Sequence, residues 1–411
     1  MNDYHLYTFP NGIRLLHKQV NNTKIAHCGF ILDVGSRNEK PHQQGMAHFW
    51  EHLAFKGTTR RKAYHIINRL EAVGGELNAY TTKEKICFHA SVLDSHLEKA
   101  IELLSDITFN STFPEREIEK EKGVILEEMS MYEDDPADAL QDHFDALMYP
   151  NHPLGYNILG TQQSVSGFNR EGFLNFVSEN LDTEHIICTT ISPLPFKKVL
   201  ATAEKYLPQI PTKKASPHRQ KFDHYKAFEL TVKKPISQAH CIIGAEAYSL
   251  YDRKRLPFFM LVNWLGGVSM TSRLNMSLRE KYGLVYHIEA NYTNFIDTGM
   301  FSVYFATDKN NLERCQSLSY KELKTLRDNS LSSLQLHRLK QQLKGQLAMA
   351  EESNLNLMLM MGKSILDFGR VETISEVFEQ IDQTTATELL EIANEIFPEH
   401  KLSGLVYMPE K

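Results

Sequence analysis

The chain is 411 residues long, 42% hydrophobic and 23% charged, a composition that excludes a disordered or fibrous protein and, at about 100–200 residues per domain, predicts two domains with a core each. A formal charge of −6 with no extended cluster of Lys and Arg argues against a nucleic-acid-binding surface. No stretch reaches the ~18 apolar residues that a membrane span needs.

The amino terminus carries no basic segment leading into an apolar run, so the expectation is a soluble, cytoplasmic protein, with the periplasm as the alternative where a leader has been trimmed. Strand-like segments at 12–18 and 25–34 come first, then a polar loop and a helix over 43–55 that ends at Gly57. A helix over 63–73 stops at Gly74-Gly75, and alternating segments at 77–82 and 86–92 read as paired strands. Two long helical patterns follow, at 94–109 and 115–133. Helices and antiparallel strands are mixed rather than strictly alternating, which predicts an α+β fold.

A polar, proline-bearing stretch between Pro208 and Lys226 divides the chain into an expected domain 1–211, a linker 212–226 and a domain 227–411. After it the pattern restarts. Ala26-His27-Cys28 returns as Ala239-His240-Cys241, Gly74 before a strand as Gly283, and Lys122-Gly123 in a helix as Lys344-Gly345. The shared order and similar offsets predict two copies of one fold. The five cysteines, at 28, 87, 188, 241 and 315, are odd in number and never form Cys-x-x-Cys, so neither a disulfide framework nor a thiolate metal site is expected.

The chemistry concentrates in one copy. His48 and His52 stand at i and i+4 on the 43–55 helix, so both imidazoles can reach one zinc ion. Glu51 lies beside them, placed to take a proton from a metal-bound water whose pKa zinc lowers to about 7. The order His-x-x-Glu-His is the inverted metallopeptidase motif. A motif this short also describes a polar helix face with two solvated histidines. A catalytic zinc needs a third ligand and an open position, and the helix over 115–133 offers Glu121, Glu127 and Glu128; spacing alone does not choose between the last two. In the second copy the corresponding positions read Met260 to Leu265, and Leu343 and Ala350 replace the glutamates. The set is lost together, as expected of one site in one half.

Several further segments, Asn11-Gly12, Asp33-Val34-Gly35-Ser36, Gly75-Glu76-Leu77-Asn78-Ala79, Val124-Ile125-Leu126-Glu127-Glu128, His152-Pro153-Leu154-Gly155 and Leu159-Gly160-Thr161, join that motif. In the second half Ser272-Arg273-Leu274 and the run from Leu278 to Tyr286 stand out. With these the chain resembles the pitrilysin/insulinase family of zinc metallopeptidases, in the shorter-chain branch that includes mitochondrial processing peptidases. The resemblance implies two homologous domains of that type, each a mostly antiparallel sheet packed with helices, and a metalloendopeptidase with one Zn2+ per chain held by His48, His52 and Glu128. It implies Glu51 and Glu121 as catalytic and accessory glutamates, and Asn78, Ala79, Arg279 and Tyr286 as substrate contacts. Asn78 and Ala79 would lie on an edge strand to which a peptide substrate is added. A homodimer enclosing a chamber is implied ahead of a heterodimer with a related chain, the zinc of one subunit facing Arg279 and Tyr286 of the other. The competing expectation is a non-catalytic structural or assembly subunit resembling respiratory-complex core proteins, in which the metal motif tends to be lost. The chain departs from the family at Ser192-Pro193, where relatives often carry Gly-Asp.

Overall fold

A computed structural model describes residues 4–215 and 219–410; residues 216–218 of the expected linker lie outside them. Packing separates two compact units. The first comprises the chain up to Met129 with Tyr156–Arg219 and Met349–Glu372, and the second Ser130–Gly155, Gln220–Ala348 and the chain from Thr373. Division by packing thus differs from division by sequence order at 212–226, because each unit takes in a segment from the other side of that stretch.

The first unit is built on six strands: β1 (His5–Thr8), β2 (Arg14–Gln19), β3 (Ile25–Leu32), β4 (Glu76–Thr81), β5 (Ile86–Leu93) and β6 (Ile186–Ser192). Their order is β1-β2-β6-β3-β5-β4. Only β2 and β6 run parallel; the remaining pairs are antiparallel. The second unit has β7 (Glu229–Lys234), β8 (Ala239–Ala247), β9 (Val285–Asn294), β10 (Gly299–Thr307) and β11 (Ser403–Pro409), in the order β7-β11-β8-β10-β9. Here β7 and β11 are the parallel pair. Apart from β1, the two sheets correspond strand for strand, and the repeated Ala-His-Cys falls on β3 and β8, the strand third from the β4 or β9 edge in each. Gly74 and Gly283 both adopt positive φ, 72° and 62°, each two residues before its strand, β4 or β9, in the left-handed conformation that only glycine takes without strain. The fold is α+β, in two homologous domains.

Alternation along the strands gives each sheet two apolar faces. In the first sheet Cys28, Phe30, Phe88 and Ala90 meet α1 (Met46–Ala54), α2 (Ala63–Glu71) and α3 (Leu97–Phe109) in the main core. The opposite face, with Leu16, Ile31, Cys87 and Ile187, is closed by Met358, Met361 and Ile365 of the helix Asn354–Phe368. Met358 and Met361 are therefore core, while Met360 between them is exposed. In the second sheet the matching face is closed by Leu140, Phe144 and Met148 of the helix Pro136–Met148. The helix that covers one face of each sheet comes from the other half of the sequence.

Boundaries follow the sequence pattern with local shifts. The 43–55 helix begins at Met46, because Pro41–Gln43 forms a separate 3-10 turn and Gly45 is left-handed, with φ 92°. A Cβ at Gly45 would stand 2.3 Å from the carbonyl oxygen of Leu159, and one at Gly160 2.2 Å from that of Gln44. Two glycines thus let the segment Leu159-Gly160-Thr161 lie against the start of α1. The helix Glu115–Asp134, named α4 here, matches its expected span. Asp135, the residue after α4, caps the next helix by accepting from Ala137 N and Asp138 N.

Candidate metal centre

Helix α1 is apolar nearly all round, as befits a helix inside a domain. Phe49 and Trp50 are fully buried, packed edge-on against Phe168 and against Phe88 and Phe176. These anchors fix the rotation of the helix, so that His48 and His52 face Glu128 while Glu51 and His52 line one cavity. Helix α4 presents Ile118, Glu121, Ile125 and Met129 inward, with Glu128 at the margin of that face.

Glu128, not the exposed Glu127, meets the histidines. Its Oε1 lies 3.8 Å from His48 Nε2 and its Oε2 3.6 Å from His52 Nε2. Among the described residues, His48, His52 and Glu128 are the group of His, Cys, Asp and Glu able to share a metal ion, with one ligand atom from each all within 4.8 Å of one another. These separations are too long for hydrogen bonds. They approach the ~3.3 Å between tetrahedral ligands held at ~2.0–2.1 Å from zinc, so the donor set fits that ion. Three protein ligands leave a fourth position open.

The surroundings favour the neutral form of His48 that a metal requires and orient the ring of His52. Burial, with repulsion from His52, lowers the His48 pKa to about 3, so its ring is neutral. His52 Nδ1 is 3.2 Å from Glu121 Oε2, and Glu121 Oε1 also binds Lys56 Nζ at 2.7 Å. Burial alone would raise the Glu121 pKa; the bonds to His52 and Lys56 outweigh it and hold the carboxyl below its ordinary range. An ionised Glu121 accepts a hydrogen bond from His52 Nδ1–H, leaving Nε2 bare and facing Glu128, the arrangement by which outer carboxylates orient histidine ligands.

Glu51 does not belong to the triad. Burial raises its pKa, with the charge of Glu128 adding to the rise, against the hydrogen bond from Thr81 and the pull of His52. A carboxyl whose pKa is shifted upward accepts protons more readily near neutral pH. Glu51 and His52 line a cavity of about 620 Å³ together with Asn78 and Ala79. Both residues lie on β4, the edge strand, where the Ala79 amide donates to Asn78's own Oδ1 at 2.8 Å.

Arg279 and Tyr286 belong to the other unit. Arg279 is on a short π-helical turn, Asn275–Glu280, and Tyr286 on the edge strand β9. The guanidinium carbon lies 5.6 Å from the centre of the tyrosine ring, and Tyr286 is 87% exposed. Of the positions matched to this site in the second copy, Met260, Leu261, Val262, Leu265 and Leu343 are buried core, Asn263 and Trp264 are half-buried, and Ala350, matched to Glu128, is exposed. Sequence reasoning passed over Thr81 and Lys56. Lys56 stands one turn beyond His52, a spacing that could have revealed it; Thr81 carried no such signal.

Residues 14–162 match the family model described as insulinase, peptidase family M16, and residues 167–343 match that of the M16 inactive domain. The uncharacterized zinc protease YmxG of Bacillus subtilis is 32% identical, over 97% of this chain and 97% of its own. An uncharacterized zinc protease of Rickettsia felis is 31% identical, over 98% and 97%. A protease from Helicobacter pylori has the same fold, with a TM-score of 0.91 at 20% identity over 99% of both chains. An M16 inactive-domain structure from Pseudomonas fluorescens superposes with a TM-score of 0.92 at 17% identity, over 99% of this chain and 98% of that one.

Proposed function

The chain belongs to the insulinase family of peptidases, M16, and from that premise we propose that it is a zinc-dependent endopeptidase acting on peptides or unfolded segments. One observation carries the reading: His48, His52 and Glu128 converge on one point, with Glu51 on the same helix lining a cavity. In this reading those three residues hold one zinc per chain, and Glu121 fixes His52 from behind.

Zinc bound there supplies a Lewis acid and lowers the pKa of a water to about 7. Glu51 takes the proton of the attacking water and returns it to the amine that leaves, a relay worth about 10²- to 10⁴-fold. The peptide lies along the free side of β4, paired through backbone groups. Asn78 turns its amide off the Ala79 N–H to admit the peptide carbonyl, and recognition of backbone suits substrates of varied sequence. Wild-type protein is expected to contain one zinc per chain and to cleave a mixed peptide library, and to lose cleavage on chelation and regain it when zinc is returned. A metal-free preparation that cleaves equally well would refute the proposal.

The active assembly in this reading is a homodimer enclosing a chamber, with Arg279 and Tyr286 of one chain serving the zinc site of the other. Support comes from the presence of both residue sets in one chain, and from the exposure of Tyr286. Chains carrying Glu51→Gln and chains carrying Arg279→Ala, each inactive alone, are expected to recover up to about a quarter of wild-type activity when mixed 1:1. Mixed dimers without recovery would place Arg279 in service of its own chain.

A further inference from the structure

The base of this site is held by the strand on which the substrate would lie. Thr81, the last residue of β4, donates its hydroxyl to Glu51 Oε2 at 2.6 Å, within the short range of hydrogen bonds to a carboxylate. Along β4, Leu77, Ala79 and Thr81 alternate onto the face that packs against the main core, and Leu77 and Ala79 are packed there. The Thr81 hydroxyl therefore points toward α1 because of the pleat.

The end of β4 is unusually well anchored. Thr81 is paired with Ile86 across a tight turn closed by Thr82, whose amide donates to Lys85 O and whose hydroxyl oxygen accepts from Lys85 N. That turn is gripped by the loop at 35–37. Ser36 N and Arg37 N donate to Thr82 O and Lys83 O, and the buried Arg37 guanidinium pairs with Glu84 at 2.6 Å. A Cβ at Gly35 would collide with the carbonyl oxygens of Thr82 and Lys83 at 2.5 Å, so the loop reaches the turn only because residue 35 is glycine. Lys85 is tied to Asp33 at 3.4 Å. Such a frame holds a side chain to the tolerance that a reacting group needs.

We propose that Thr81 is a positioning residue for the peptidase reaction, anchoring one carboxylate oxygen of Glu51 so that the other receives and returns the proton. The inference rests on the peptidase reading above. With Oε2 held, Oε1 takes the proton of the attacking water, becomes a neutral carboxyl, and releases the same proton to the leaving nitrogen. Oε2 keeps its hydrogen bond throughout. Because β4 is also the strand that pairs with substrate in this reading, Thr81 locks the base to the peptide backbone rather than to α1 alone.

Thr81→Val keeps the shape and removes the hydroxyl, whereas Thr81→Ser keeps the hydroxyl. Losing a hydrogen bond to a charged group predicts a fall in kcat of about 10- to 100-fold in Thr81→Val, with KM and zinc content unchanged. Thr81→Ser restores kcat to within about threefold of wild type. In a Glu51→Gln background Thr81→Val has no further effect, since a group acting through Glu51 has nothing left to position. In crystals of the metal-free protein, the Glu51 side chain keeps one rotamer in wild type and Thr81→Ser and spreads over several in Thr81→Val. A wild-type kcat in Thr81→Val, a loss that Thr81→Ser does not repair, or an unchanged Glu51 rotamer would each overturn the assignment. Where wild type cleaves and chelation stops it, those outcomes sink Thr81 alone; a wild type that never cleaves removes the peptidase reading and Thr81 with it.

Discussion

Glu51→Gln is expected to lower peptide hydrolysis by about 10²- to 10⁴-fold, or roughly 3–5 kcal/mol in the barrier, while the protein keeps its zinc. The amide is isosteric and can still accept from Thr81, so neither α1 nor the cavity has reason to change. What disappears is the ability to take up a proton. The metal stays because Glu51 is not among the converging donors: those are His48, His52 and Glu128. Elemental analysis beside steady-state kinetics separates the two effects, and turnover like the wild type would remove Glu51 as the base.

Glu128→Gln is expected to fail differently, by losing the metal. A neutral amide cannot replace the charge that faces both Nε2 atoms at 3.6–3.8 Å, and the two neutral imidazoles left behind make a poor zinc site. Glu121→Gln supplies the comparison. Its carboxylate touches His52 Nδ1 rather than the metal point, and loss of an outer partner costs ~10- to 100-fold in affinity. Zinc titration should therefore rank wild type above Glu121→Gln and that above Glu128→Gln. Full zinc occupancy in Glu128→Gln at limiting metal would point to another ligand.

Local structure was legible because it is governed by local periodicity. His48, Glu51 and His52 lie on one helix whose apolar residues gave away its span, and α4 was equally clear. Spacing could not separate Glu127 from Glu128, since adjacent helical residues differ by about 100° in direction and either could face inward. The buried positions Ile125 and Met129 set the rotation that turns Glu128 toward the histidines and Glu127 to solvent. Thr81 was illegible for another reason. It meets Glu51 across thirty residues of chain, a contact decided by strand pleat and turn anchoring that no sequence interval encodes. The helices closing the outer sheet faces were hidden in the same way: an apolar stripe over 354–368 announces that a face will be buried, not which sheet will bury it.

That exchange of covering helices dictates the order in which the protein can be completed during synthesis. The face of the first sheet bearing Leu16, Ile31, Cys87 and Ile187 receives Met358, Met361 and Ile365 as its buried cover, well over a hundred residues after the last strand of that sheet. At ribosomal speeds of about 5–20 residues per second, the first domain waits roughly 10–35 s with an apolar face open to water. A nascent chain of this protein therefore carries that apolar face uncovered until the 354–368 helix is made, and its amino-terminal half alone lacks the helix that closes its sheet.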